Sequence, residues 1–377
     1  MKIAIVCDWL ITHAGAERVL AEILQCFPSA DVFAVVDFVP PEKRDFLLNK
    51  PVKTTFIQHL LFAKKYYRHY LPLMPLAIEQ LDVSTYDVVI SSSHAVAKGV
   101  ITAAHQLHIS YIHSPMRYAW DLQHQYLKDA GLEKGIKSFL VKYMLHKMRL
   151  WDLRTANNVD YFIANSHFIA RRIWKTYRRD AEVIYPAVDT QIFTPSAQKE
   201  NFYLAASRLV SYKKMDVIVE SFSAMPDKKL IVIGDGPDFA KIKAKAKDNI
   251  TFLGFQPIAQ LIHYLQQAKA FIFAAEEDFG LLPVEAQACG TPVIAFAKGG
   301  ALETVRGLDT DHPTGIFFHE QTTAAIQEAI AVFEENETVF KPEFFQKNVA
   351  RFSQTEFREQ FKNFVLQKAC NKLSVIA

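Results

Sequence analysis

The chain has 377 residues, of which 50% are hydrophobic and 22% charged; this suits two packed domains and excludes wholesale disorder. Its 13 Gly and 16 Pro exclude collagen-like chains, while its four scattered Cys argue against a zinc module or disulfide scaffold and fit a reducing cytoplasmic compartment. Residues 1–186 carry 23 Lys and Arg against 17 Asp and Glu, a net charge of +6, which predicts an anionic partner or membrane surface.

The first half of the chain alternates short apolar runs with amphipathic stretches. The opening run, over 2–8, ends in an acid and predicts a first strand, since it is too short for a signal peptide. Further strands are predicted at 31–37, 86–92, 109–113, 159–165 and 181–185. Helices are predicted at 15–26 and 136–156. No apolar stretch reaches the ~18 residues that a membrane-spanning helix requires.

The second half repeats this alternation after a polar, proline-containing stretch from Tyr185 to about Glu200. The predicted strands are 201–206, 229–233, 250–253, 270–275, 292–296 and 315–318. The predicted helices are 214–224, 237–247, 257–267, 283–289 and 320–335. Wholly apolar strands separated by helices favour parallel sheets covered on both faces. Two such series predict an α/β chain with two Rossmann-like domains.

The most specific motif spans residues 277–285, directly after the predicted strand 270–275. Pro283 suits the first position of a helix, and Gly280 lets a ligand approach the backbone before it. The exposed N–H groups at that helix start form an anion site that suits a phosphate. The flanking carboxylates of Glu277 and Glu285 then suit the hydroxyls of a sugar. The alternative interpretation is a capped helix with ordinary surface acids.

A second motif, over 207–214, follows the predicted strand 201–206. Arg208 and Lys213 would lie at the carboxyl end of a sheet, where α/β proteins bind ligands. Two cations there could neutralise a diphosphate, the guanidinium as a fork and the ammonium as a point charge. The alternative is a solvated basic loop.

Two glycine-containing turns are weaker signals. Gly234 follows the predicted strand 229–233, but the full G-x-G-x-x-G is absent, so an NAD site gains little support and a tight turn is the simpler interpretation. Gly15 lies in the loop after the first strand, where it would allow close approach of a ligand or serve only as a turn.

His113 follows the run 109–112 at the end of a predicted strand and precedes four side chains that suit carbohydrate, namely Arg117, Tyr118, Trp120 and Asp121. A lone histidine is usually structural, but this setting favours a functional role. By contrast, Asp309-Thr310-Asp311 has the spacing of a metal-binding D-x-D but lies in a polar turn far from the phosphate candidates. We therefore predict no metal and no cofactor.

These motifs together resemble the retaining nucleotide-sugar glycosyltransferases of family 4. Residues 277–285 match the E-x7-E element of that family, and 207–213 match its R-L-x-x-x-K element. Further matches are Gly234–Pro237, Leu253–Phe255, Gly299–Gly300 and Asn165–Ser166. Residues 113–121 resemble the mannosyltransferase branch that makes O-antigen and exopolysaccharide. One departure is Ala14-Gly15, where the family usually has paired glycines.

The resemblance implies the GT-B fold, with two Rossmann-like domains whose parallel sheets face each other across a cleft. Residues 1–187 would bind the acceptor, residues 188–354 would bind the donor, and the final helix, 355–377, would pack back on the first domain. The implied catalytic residues are Glu277, which orients the donor sugar, and His113, which contacts that sugar. The implied donor-binding residues are Arg208, Lys213, Glu285, Gly280, Leu281, Leu282, Gly15, Gly234 and Leu253. The implied acceptor-binding residues are Arg117, Tyr118, Trp120 and Asp121.

The leading functional hypothesis is therefore a retaining, metal-independent hexosyltransferase. It would transfer mannose from GDP-mannose to an oligosaccharide or lipid-linked acceptor in bacterial surface polysaccharide synthesis. The alternatives are a UDP-sugar donor, a GT-B nucleotide-sugar epimerase, a phosphorylase, for which no pyridoxal-phosphate lysine site is evident, and a non-catalytic sugar-binding module. No nucleic acid partner is expected.

Basic and large apolar residues interleave in 62–71 and again in 136–149. A helix of the second composition could lie on an anionic bilayer at the cytoplasmic face of the inner membrane. The alternative is that Phe139, Leu140, Tyr143 and Met144 belong to the core.

Overall fold

The computed structural model of the chain describes residues 1–196 and 198–376, with the backbone alone for 373–376. It contains two compact units. Unit 1 comprises Met1–Ala187 and the chain from Phe357 onward, and unit 2 comprises Val188–Glu356. Each unit is built on one parallel sheet, which confirms the predicted α/β class with two Rossmann-like domains.

The sheet of unit 1 has the strand order β3-β2-β1-β4-β5-β6-β7. Its strands are β1 (Ile3–Cys7), β2 (Asp31–Ala34), β3 (Val52–Thr54), β4 (Val88–Ser93), β5 (Leu107–Ile112), β6 (Tyr161–Ala164) and β7 (Ala181–Val183). From β1 the chain winds outward through β2 and β3 in one direction, and through β4 to β7 in the other. The neighbouring strands β1 and β4 therefore mark the topological switch point, outside whose carboxyl ends such sheets bind ligands.

The helices that precede unit 2 are α1 (Gly15–Cys26), α2 (Ala63–Tyr66), α3 (Met74–Glu79), α4 (Gln123–Asp129), α5 (Ile136–Thr155) and α6 (His167–Tyr177). Short 3-10 helices occupy Pro41–Lys43, Asp45–Leu47, Phe56–His59, Tyr67–Leu73, Ala97–Gly99 and Ala156–Asn158. None of the described helices is both long enough and apolar enough to cross a bilayer.

The sheet of unit 2 has the order β10-β9-β8-β11-β12-β13. Its strands are β8 (Tyr203–Ala206), β9 (Leu230–Ile233), β10 (Ile250–Gly254), β11 (Ala270–Phe273), β12 (Val293–Phe296) and β13 (Gly315–Phe318). Its helices are α7 (Met215–Ser223), α8 (Phe239–Lys243), α9 (Ile258–Gln267), α10 (Leu281–Ala288), α11 (Ala301–Thr304), α12 (Thr323–Glu335) and α13 (Pro342–Ala350). Two further 3-10 helices are Ser211–Lys213 and Glu337–Val339. Here the switch point lies between β8 and β11.

A final helix, α14 (Gln354–Ile376), begins in unit 2 and continues into unit 1. In unit 1 it adds Phe357, Phe361 and Val365 to the core that β1 and α1 share. These side chains recur every four residues, so they form one stripe along the helix. Burying each one stabilises the fold by about 1.5–3 kcal/mol. Arg358 on the same helix pairs with Glu22 of α1.

The structure corrects several predicted elements. Strand β3 was not predicted because three residues are too few to show a period, and helices α2, α3, α4, α6, α11 and α13 were not predicted either. Helix α8 is shorter than the predicted 237–247. Helix α10 begins at Leu281, so Pro283 occupies its third position rather than its first. Proline is tolerated there because the first-turn N–H groups have no partner within the helix.

Candidate active site

The carboxyl edge of the unit 2 sheet gathers most of the predicted donor-binding residues around the switch point, while Gly15 lies in unit 1. Arg208 follows β8 and its side chain is exposed. Lys213 ends the next 3-10 helix and forms an ion pair with Glu277, which follows β11. These residues are 64 positions apart in sequence, yet adjacent parallel strands bring them together. The edge therefore carries an exposed guanidinium beside a paired ammonium and carboxylate.

Helix α10 starts at this same edge. Gly280, at its N-cap, supplies no side-chain cap, so the N–H groups of Leu281 and Leu282 begin the helix without one. Partial positive charge at such a helix start favours an anion. Glu285, one turn further along, is only 1% exposed. The site thus combines cations and a helix start with one buried carboxylate.

Backbone packing fixes the two loops that carry these groups. Gly299 has φ +67°, and a Cβ there would lie 2.2 Å from the carbonyl oxygen of Glu277. The N–H of Gly300 donates to that same oxygen at 2.8 Å. Gly234 has φ +134°, and a Cβ there would lie 1.8 Å from the carbonyl oxygen of Ser207. Only glycine fits at these two positions, so the weak motif at Gly234 has a packing role next to Arg208.

Leu253 lies at the carboxyl end of β10, two strands from the switch point. Its carbonyl oxygen accepts a hydrogen bond from the Gln256 side chain at 2.6 Å. The D-x-D turn, by contrast, precedes β13 and lies at the amino edge of the sheet. Among residues 1–196 and 198–376, no three His, Cys, Asp or Glu side chains are grouped as metal ligands.

The carboxyl edge of the unit 1 sheet carries His113, which follows β5. Its Nε2 is 2.8 Å from the hydroxyl of Ser92, and burial lowers its pKa to about 3, so the imidazole is neutral. Gly15, the first residue of α1, is exposed at this edge.

The segment after His113 is braced from within unit 1. The indole N–H of Trp120 donates to Asp152 at 2.7 Å, and Asp121 pairs with Arg172. Asp152 also forms a buried ion pair with Lys98, with 2.7 Å between Nζ and Oδ1. These contacts give Trp120 and Asp121 a structural role, and the acceptor contacts predicted for them stay predictions.

Two other predicted acceptor residues lie in this segment. Arg117 is half-buried, with its Nε 3.4 Å from the Ser114 hydroxyl. The hydroxyl of Tyr118 is buried and has no hydrogen-bond partner within the described residues. Tyr118 therefore brings an unsatisfied polar group to this edge.

Sequence reasoning missed a pair of residues at the switch point of unit 1. Asp8 follows β1 and His94 follows β4, and their Oδ2 and Nδ1 atoms are 3.0 Å apart. The sequence carried a usable signal, because His94 follows its strand just as His113 follows the next one. Only the strand order, however, makes β1 and β4 neighbours.

Comparison with known proteins agrees with this architecture. Residues 13–192 match the family model described as Glycosyltransferase Family 4, and residues 189–352 match the one described as Glycosyl transferases group 1. In solved structures, similar folds occur in Anabaena HepE with UDP (TM-score 0.71, 17% identity, 97% of this chain and 100% of that one). Sucrose-phosphate synthase of Thermosynechococcus elongatus is similar as well (TM-score 0.74, 17% identity, 98% and 100%).

Curated relatives match over part of their length. D-inositol 3-phosphate glycosyltransferase of Mycobacterium sp. (strain JLS) is 28% identical over 41% of this chain and 40% of its own. The O-antigen chain mannosyltransferase RfbU of Salmonella typhimurium is 26% identical over 46% of this chain and 49% of its own. The chain thus spans less than half the length of these relatives. From the two family models and the shared fold, the chain belongs to glycosyltransferase family 4 and has the GT-B fold.

Proposed function

We propose that this chain is a retaining, metal-independent glycosyltransferase that moves a hexose from a nucleotide sugar to an oligosaccharide or lipid-linked acceptor. The observation that carries the proposal is the set of groups at the switch point of unit 2. An exposed Arg208, the ion pair of Lys213 with Glu277 and the uncapped start of α10 share one sheet edge. A nucleoside diphosphate is the ligand that such a set suits.

The chemistry follows from charge. Breaking a sugar–diphosphate bond builds negative charge on the leaving phosphate and positive charge on the anomeric carbon. Arg208, Lys213 and the start of α10 would stabilise the phosphate without a metal. Glu277 would accept hydrogen bonds from the sugar hydroxyls, and Glu285 would hold the ribose. In a front-face attack, the departing phosphate oxygen takes the proton of the acceptor hydroxyl, so no enzyme nucleophile is needed and the configuration is retained.

Mannose from GDP-mannose is the first donor to test, supported by the similarity to the O-antigen chain mannosyltransferase. A UDP-sugar is the second, because Anabaena HepE was solved with UDP and with UDP-glucose. We assign contact with the donor sugar to His113 of unit 1, and acceptor binding to four residues of the same unit: Arg117, Tyr118, Trp120 and Asp121. A surface polysaccharide intermediate is the acceptor class that this assignment favours.

The test is a panel of GDP- and UDP-hexoses, each incubated with water alone and with octyl glycosides of mannose, glucose and galactose. Released nucleotide and the anomeric configuration of the product are measured. Transfer with retention supports the proposal, and activity in EDTA should equal that with added Mg²⁺ or Mn²⁺. Loss of activity in EDTA that either ion restores would contradict metal independence. Conversion of the donor sugar without transfer would instead indicate an epimerase.

We further propose that unit 1 contacts an anionic membrane surface at the cytoplasmic face. On α5, Phe139, Leu140 and Tyr143 are 69%, 58% and 54% exposed, so these three do not belong to the core. Exposed lysines at 137, 142 and 147 lie on the same helix. Each such lysine adds ~1 kcal/mol near an anionic surface, and salt weakens the attraction.

Sedimentation with anionic and neutral liposomes across a salt series tests this contact. Replacing Phe139 and Leu140 with Ser should reduce binding to anionic vesicles. The control is Trp174→Ser, an aromatic residue of α6 that is 54% exposed. Equal binding to both liposome types at low salt would exclude the membrane contact and leave the transferase proposal intact.

A further inference from the structure

The pair formed by Asp8 and His94 occupies the switch point of the unit 1 sheet. Asp8 Oδ2 accepts the backbone N–H groups of His94 and Ala95 at 2.6 and 3.1 Å. Its Oδ1 accepts those of Val96 and Ala97 at 2.6 and 2.7 Å. Four N–H groups and one imidazole therefore converge on a single buried carboxylate, which ties the end of β1 to the loop after β4.

This geometry fixes the tautomer of His94. Burial alone would raise the pKa of Asp8, but His94 and the backbone N–H groups lower it to about 2, so Asp8 is an ionised acceptor. The Nδ1 of His94, 3.0 Å from Oδ2, must then carry the hydrogen. In the neutral ring this leaves Nε2 with a lone pair. No hydrogen-bond partner for Nε2 is found in the described part of the chain, and the side chain is 30% exposed.

Several groups surround the ring. Asp8 and Glu17 lie on its acidic side, and His113 and Arg117 are the basic groups that face it. The Trp9 ring meets it edge-on, with 4.6 Å between centroids, and the His113 ring is 6.2 Å away. His113 already uses its Nε2 on Ser92. The nitrogen that His94 leaves without a hydrogen-bond partner among the described residues is its Nε2.

We propose that Nε2 of His94 accepts a hydrogen bond from a hydroxyl of the acceptor sugar beside the attacking one, and that Asp8 is the positioning residue that holds the ring. This inference rests on the proposed transferase function and adds a catalytic residue to unit 1. A purely structural role would account for the four backbone bonds of Asp8. It would not require an imidazole at position 94, because main-chain N–H groups make those bonds.

The proposed role of His94 makes sugar transfer dependent on pH, because only the neutral ring accepts a hydrogen bond at Nε2. Burial alone would lower the pKa of His94, but the charge and hydrogen bond of Asp8 raise it overall, with help from Glu17 and against Arg117. His113 also faces the ring but is uncharged in this range, because burial lowers its pKa to about 3. Transfer should therefore fall as the pH drops through a value above the usual ~6.5 of histidine.

The experiment compares His94→Ala and His94→Gln with the wild type in the donor–acceptor pair that the nucleotide-sugar panel identifies. His94→Ala should lower kcat/KM for the acceptor roughly 10- to 100-fold, on the scale of one hydrogen bond to a polar substrate group. Nucleotide release with water alone should fall less than transfer does. His94→Gln supplies a neutral hydrogen-bond acceptor, so it should recover part of the transfer. Its activity should lack the acid limb, which is the fall in transfer at low pH. The control is His105→Ala, an exposed histidine that precedes β5 at the opposite edge.

Histidine NMR of the unliganded chain provides a readout without turnover. The nitrogen shifts of His94 should report hydrogen on Nδ1, and Asp8→Asn should lower its pKa. Three results would each overturn the inference. The first is hydrogen on Nε2 of His94, the second is an equal loss of transfer and hydrolysis in His94→Ala, and the third is an unchanged acid limb in His94→Gln. A wild type that is inactive with every nucleotide sugar would instead contradict the proposed function.

Discussion

The two sheets have the same kind of switch point but place opposite chemistry there. In unit 2 the edge between β8 and β11 presents Arg208, Lys213 and the uncapped start of α10, which together attract an anion. In unit 1 the corresponding N–H groups, at 94–97, are all used by the buried Asp8. What remains there is the lone pair of an imidazole. In our proposals, the same topology therefore serves a diphosphate in one unit and a hydroxyl in the other.

The largest expected effect concerns the carboxylate of unit 2. Glu277→Ala should abolish sugar transfer while nucleotide binding persists, because its assigned partner is the sugar and its removal releases Lys213 from the ion pair. Transfer and nucleotide binding are measured separately, by product formation and calorimetry. Glu276→Ala, an exposed neighbour, is the control. A matching loss of nucleotide affinity would move Glu277 to the nucleotide.

The second-largest effect is expected for the two cations at the carboxyl edge of the unit 2 sheet. Arg208→Ala and Lys213→Ala should each reduce kcat/KM by at least ~10²-fold, or ~2.7 kcal/mol, because each removes charge stabilisation that grows in the transition state. Steady-state kinetics of the folded variants gives this value. Lys229→Ala is the matched control, since Lys229 is exposed just before β9 at the opposite edge. Near-normal turnover in either site variant would mean that the phosphates bind elsewhere.

A third prediction separates the scaffold from the chemistry. Gly234→Ala should destabilise unit 2 by more than the ~1–3 kcal/mol of a strained backbone alone, since its Cβ would lie 1.8 Å from the Ser207 carbonyl oxygen. Gly254→Ala, also at positive φ but with nothing within 4 Å, should incur only the backbone cost. Urea unfolding of both variants checks the difference. Equal stability losses would argue against the close packing of the 207–209 and 234–236 loops.

The smallest expected effect is a pH dependence of the stability of unit 1. Burial lowers the pKa of His108 to about 4 and that of His113 to about 3. Because the unfolded state binds these protons from pH ~6.5 downward, the free energy of unfolding should fall between pH ~6.5 and ~4. His94 acts in the opposite direction, since its pKa is raised, but it is one group against three, because burial lowers the pKa of His13 as well.

Tryptophan fluorescence can measure the unfolding of unit 1. All four tryptophans, at 9, 120, 151 and 174, belong to unit 1, so their fluorescence reports the unfolding of that unit. The urea midpoint measured by tryptophan fluorescence should decrease as the pH is lowered, and His108→Gln should make this decrease smaller. A slope unchanged in His108→Gln would exclude this histidine as a cause.

Local patterns were sufficient for much of the fold. Regular alternation of apolar strands and helices predicted the parallel sheets, because strands buried on both faces must be apolar throughout. That same alternation placed Arg208, Lys213 and Glu277 after strands, at the edge where ligands bind. Short elements such as β3 were not predicted, because three residues are too few to show a hydrophobic period. The position of Pro283 was misjudged because several positions of a first helical turn tolerate proline.

Other features required the tertiary structure. Strand order decides that Asp8 meets residues 94–97, and nothing local to either segment encodes a contact across 86 residues. Packing decides that Phe139 and Leu140 on α5 face solvent, where sequence left core and surface both open. The sequence by itself determined which chemistry follows each strand, because that depends on neighbours along the chain. Only the fold decided which of those groups meet, because strand pairing joins segments that are distant in sequence.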